Sequence, residues 1–143
     1  MNHSTLELKR EKCWQTNREY FDFFVNGTSL GKFFNEGVDI GCLGWGPPEH
    51  EKLIIGQLLL NEIPEPESGR VPIYVCSECG DLGCGAVTVR IEEKEGNFIW
   101  SDFAYENNYE GTVELYPSVG PFYFNKISYS AILNKREKEI DQA

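Results

Sequence analysis

The chain has 143 residues, of which 41% are hydrophobic and 13% aromatic, so it should fold as one globular domain with a hydrophobic core rather than stay disordered. Its 13 basic against 23 acidic side chains give a formal charge of −10, which phosphate backbones would repel, so direct nucleic-acid binding is not expected. No run approaches the roughly 18 apolar residues of a membrane span, the N-terminal stretch lacks the apolar core of a signal peptide, and the 5 cysteines cannot all pair. The expectation is a cytoplasmic protein with reduced thiols and no membrane partner.

One domain is expected over residues 1–143, with a mobile arm or edge segment over about 1–17 and a frayed tail over about 136–143. His3 falls in that arm. Glu19 to Val25, dense in aromatics, reads as a strand that turns at Asn26-Gly27. Thr28 or Ser29 then caps a short helix with Leu30, Phe33 and Phe34 on its buried side. The glycine-rich stretch from Gly37 to Pro48 carries Cys42 and Trp45, and its glycines permit positive φ or a close backbone approach. Pro48 suits the first position of a helix, with Glu49 and Glu51 favourable in its first turn. That helix should run to Asn61, carry Leu53, Ile54, Leu58 and Leu60 inward with Ile55 and Leu59 alongside, and end before Pro64.

A strand from Val71 and a second ending near Ile91 follow, with a glycine-rich reversal between them. A turn with Gly96-Asn97 at its tip leads into Asn97 to Tyr105. In that strand strict alternation puts Phe98, Trp100, Asp102 and Ala104 on one face and Ile99, Ser101, Phe103 and Tyr105 on the other. TVELYP and GPFYFN read as short extended pieces, and Asn125 as the N-cap of a last helix from Lys126 to about Ile140, with Ile127, Ala131 and Ile132 inward. The order predicts an α+β fold. Its sheet is largely antiparallel, with a central three-stranded meander around 71–105 and two or three helices packed on it.

The chemistry-bearing stretch is VPIYVCSECGDLGCGAVTVR. Cys76 and Cys79 stand two residues apart before a glycine, the spacing of a zinc knuckle, with Cys84 as a third ligand and Cys42, His50 or Cys13 as a fourth. The alternative is a glycine-rich hairpin with packed thiols, since a free cysteine behaves as a small hydrophobe. A redox pair fits less well, because turn and strand follow Cys79 instead of the helix that lowers a thiol pKa. Neither GCLGWG nor GDLGCG has the lysine and hydroxyl of a phosphate loop. On the surface, WSDFAYENNYE combines aromatic anchors with carboxylates. Trp100 and Phe103 are expected in the core; Asp102, Tyr105, Glu106, Tyr109 and Glu110 remain as candidate contacts for a basic partner.

LGWGPP, YVCSECGDLGCGAVTV, WSDFAYENNYE and GPFYFN, in this order, resemble a family of small uncharacterised bacterial proteins. The resemblance spans about residues 40–130 and implies a bacterial cytosolic single domain, with no catalytic or metal assignment to carry over. A looser likeness, of size and charge, is to immunity proteins of bacterial toxin systems, many of which block a basic nuclease toxin. The expectation is a non-enzymatic, cofactor-free protein-binding module, in its sharpest form an immunity-type toxin inhibitor. The alternative is a small zinc-binding or thiol-dependent protein centred on Cys76, Cys79 and Cys84.

Overall fold

The computed structural model describes residues 3–34, 40–64, 66, 68–77, 85–107 and 112–143. β1 (Leu6–Lys12), β2 (Glu19–Val25) and β3 (Thr28–Ser29) form an antiparallel three-stranded sheet. β4 (Ile40–Gly41), β5 (Val71–Val75), β6 (Ala86–Lys94), β7 (Asn97–Asn107) and β8 (Thr112–Leu115) follow one another across a second antiparallel sheet, and β9 (Phe122–Asn125) also pairs with β7. Helices α1 (Pro48–Leu58) and α2 (Lys126–Gln142) complete an α+β fold. No helix among the described residues is long and apolar enough to cross a membrane.

The two sheets are stitched together at both flanks. Phe21 bridges Leu43 beside β4, and Ser4 bridges Phe124 of β9. The wall therefore runs β1, β2, β4, β5, β6, β7, β9 and returns to β1, which leaves few free edges. Gly44 makes the first stitch possible. Its φ is +98°, and a Cβ there would stand 2.8 Å from the Phe21 ring and 2.9 Å from its backbone nitrogen. Only glycine admits that backbone at that distance.

Aromatic rings fill the space inside. Phe23 meets Tyr74 and Trp100 edge-on at 5.9 and 5.8 Å, and Trp100 meets Phe124 at 5.3 Å. Burying each such ring stabilises the fold by roughly 1.5–3 kcal/mol. α2 lays Tyr129 on Phe98 at 4.5 Å, and one polar chain ties three elements together. Trp100 Nε1–H donates to the Tyr129 hydroxyl (3.0 Å), which donates to the Leu58 carbonyl at the end of α1 (2.6 Å). That carbonyl is among those a helix leaves unpaired at its C-terminus, so the tyrosine satisfies both buried groups.

Several expectations shift. Of the two expectations for the first residues, an arm or an edge segment, Leu6–Lys12 meets the second as the outer strand of its sheet, and His3 hydrogen-bonds the Asn97 side chain at 2.7 Å. The tail continues α2 to Gln142 because Ile140 is buried and Arg136 pairs with the buried Glu51. Phe33 points outward from a 3₁₀ turn over Leu30–Phe33, while Leu30 and Phe34 are buried as expected. α1 stops at Leu58, before Pro64, with Leu53 and Leu60 exposed. On α2, Ile127 is exposed, and Tyr129, Leu133 and Ile140 are the buried residues. The β6–β7 turn has Glu95-Gly96 at its tip, both at positive φ, closed by the Lys94–Asn97 pair.

Candidate protein-binding edge

One extra residue in β7 shapes this end of the molecule. Arg90 pairs with Ser101 and Thr88 with Ala104, so Asp102 and Phe103 together oppose Val89. This is a β-bulge, with Asp102 in the left-handed region at φ +50°. It resets the alternation. Trp100 and Phe103, three positions apart, both enter the core, where their rings lie 6.4 Å apart. Asp102 turns to solvent, its carboxylate 3.4 Å from the Arg90 guanidinium, while Arg70 donates to its carbonyl at 3.1 Å. The expected acidic contact is thus exposed but paired.

Past the bulge the expected contacts turn inward. Glu106 is 8% exposed, and its carboxylate accepts hydrogen bonds from the hydroxyls of Thr88 (2.5 Å) and Ser68 (2.8 Å). It is not the exposed contact expected of it, because in the register past the bulge it shares a face with the buried Thr88 and Ala104. Tyr105 is half-buried, with its hydroxyl over Gly85: a Cβ on that glycine, whose φ is +108°, would lie 2.1 Å from it. Tyr109 and Glu110 lie outside the described residues.

The exposed surface lies one strand further out. β8 pairs with β7 through Leu115–Ala104, Glu114–Tyr105, Val113–Glu106 and Thr112–Asn107. Tyr116 N–H donates to the Phe103 carbonyl at 2.8 Å, so antiparallel alternation turns the main-chain groups of Glu114 toward β7 and those of Val113 and Leu115 away from it. Among the described residues no strand pairs with that outer edge. The side chains of Val113 and Leu115 are 45% and 55% exposed, and Glu114 between them is exposed. Beside Leu115 a groove of about 340 Å³ opens between Asp102, Tyr116 and Gly120. Nothing in the periodicity of TVELYP distinguishes it from a core edge; only its place outside β7 does.

A second exposed anchor also escaped the sequence reasoning. Trp14, 79% exposed, stands in the turn between β1 and β2. Close by in the chain, the Arg18 guanidinium lies over the Trp45 ring at 4.9 Å and donates to the Ser77 carbonyl at 3.3 Å.

The proposed metal ligands are only partly placed. Cys42 N–H donates to the Ile73 carbonyl at 3.0 Å, continuing the ladder in which Gly41 faces Tyr74 and Ile40 faces Val75. Cys76 follows Val75 at the other end of that ladder, so strand rise alone separates it from Cys42 by roughly 10 Å. Two sulfurs on one zinc sit about 4 Å apart, so the register does not bring Cys42 and Cys76 together. Cys79 and Cys84 lie outside the described residues, and among those described no group of three or more His, Cys, Asp or Glu could hold a metal ion. Cys13 and Cys42 are buried, and Cys76 is half-buried. His50 is exposed in the first turn of α1.

No family model matches the chain, and no curated protein or solved structure matches it either.

Proposed function

We propose that this protein is a non-enzymatic binding module for a basic protein, in its sharpest form an immunity-type inhibitor of a bacterial toxin. The observation that carries the reading is the β8 edge: apolar Val113 and Leu115 are exposed around Glu114 on a chain of charge −10. Exposed aliphatic groups supply contact area, and a strong net charge raises the encounter rate with a partner of opposite sign. The carboxylates that the fold buries are engaged by the scaffold instead. Asp22 accepts from Ser29 and Tyr74, Glu51 pairs with Arg136, and Glu106 is held by Thr88 and Ser68.

The test is to purify the product of the adjacent gene and titrate it with this chain by calorimetry. The reading expects a basic partner, of pI above about 9, and a one-to-one complex that abolishes the partner's toxicity. An adjacent toxin that stays active at saturating amounts of this chain would remove the immunity assignment.

A further inference from the structure

We infer that the partner docks by adding an extended segment to the outer edge of β8, unpaired among the described residues, one in which apolar and basic residues alternate. This rests on the basic-partner reading and specifies its geometry. The main-chain groups of Val113 and Leu115 face outward, so the edge offers two donors and two acceptors at strand spacing. Their side chains stand on one face and that of Glu114 on the other. A paired strand with matching period would place apolar residues against Val113 and Leu115 and a lysine or arginine against Glu114. The groove beside Leu115, with Asp102 in its lining, receives the next side chain.

A second copy of the chain is the natural competitor for a free edge, and charge disfavours it. Each copy carries −10, and a two-fold antiparallel pairing centred on Glu114 would set that carboxylate directly against its equivalent.

The experiment uses the full chain, labelled with ¹⁵N, and an acetylated, amidated peptide of alternating valine and lysine. Two further peptides carry N-methyl groups along one edge or the other, and a fourth has glutamate for lysine. The expected result is a set of amide shifts centred on residues 112–116 and their β7 partners, with slowed hydrogen exchange at Val113 and Leu115. N-methylation of one edge only, and the glutamate exchange, should each weaken binding at least tenfold or so. Val113→Pro and Leu115→Pro remove outward N–H groups and leave the β7 ladder in place. Each should keep the remaining spectrum and lose the peptide.

Shifts centred on another acidic surface would overturn strand addition while leaving the basic-partner reading intact. Equal binding of both N-methylated peptides, or no binding of the parent peptide, would also overturn it. Protection of Val113 and Leu115 that grows with protein concentration alone would assign the edge to a second copy. Equal binding of the glutamate peptide would strike at the basic-partner reading itself.

Discussion

Tyr74 and Tyr129 carry phenols that the fold holds neutral. Burial pushes the Tyr74 hydroxyl well above its ordinary pKa, and the Asp22 carboxylate that accepts its hydrogen bond adds to the shift. Burial alone raises Tyr129. An unfolded tyrosine ionises near pH 10, so these two contribute stability that is complete below that pH and declines as pH rises above it, by up to about 1.4 kcal/mol per unit for each group. Absorbance titration should therefore find at least these two tyrosines silent until alkaline unfolding. All seven tyrosines ionising together near pH 10 in a folded chain would contradict the placement. Gly85 makes a second residue-scale case. Gly85→Ala meets both a left-handed φ and the Tyr105 hydroxyl, and thermal unfolding should register a loss of about 1–3 kcal/mol. Tyr105→Ala should remove the steric part of that penalty and leave the backbone part. The glycine was visible in the sequence as one of a cluster; its partner, distant in the chain, was not. Glu106 was misread for a related reason: the hydroxyls that hold its buried carboxylate, on Thr88 and Ser68, are distant in the chain and carry no local signal.

At the scale of elements, α1 ends in a motif that normally calls for glycine. Leu60 N–H bonds the Gln57 carbonyl and Asn61 N–H the Gly56 carbonyl, with Leu60 at φ +62°. This is a Schellman cap with leucine where its Cβ is strained. Leu60→Gly should stabilise the protein by about 1 kcal/mol in denaturant melts; a loss would mean that the leucine's own contacts outweigh the strain. The chain had announced where α1 begins, through Pro48, but Pro64 suggested too late an end because the cap uses no glycine or proline. The helices meet through Glu51 and Arg136, a two-pronged pair at 2.6 and 3.1 Å, with the guanidinium also over Phe21 at 4.6 Å. Glu51 is buried and Arg136 keeps Glu139 as a second partner at 3.2 Å, so Glu51→Ala should cost about 1.5–3 kcal/mol for the lost charged hydrogen bonds, and Glu51→Met with Arg136→Met less. Tyr129→Phe strips partners from both Trp100 Nε1–H and the Leu58 carbonyl, with an expected cost of about 1–3 kcal/mol. Both links join helices far apart in sequence, whereas the strands and Asn125 as a cap were legible because their signals are local. Asn125 accepts from Ile127 and Ser128 N–H as its residue type foretold.

For the whole molecule, sheet strands closed around an aromatic core leave β8 as the exposed apolar edge on a strongly acidic body. Composition revealed the acidity and the order of local elements the α+β class; the closure depends on two single bridges, at Leu43 and Ser4, that no local pattern encodes. If binding to a basic protein is the function, long-range attraction should govern how fast the complex forms, while the contacts at β8 govern how long it lasts. The decisive measurement is the stopped-flow association rate with the adjacent-gene product across ionic strength. The account predicts a rate that falls at least about tenfold between about 0.05 M and about 0.5 M salt, with a much smaller change in dissociation. A rate that stays flat over that range would contradict it.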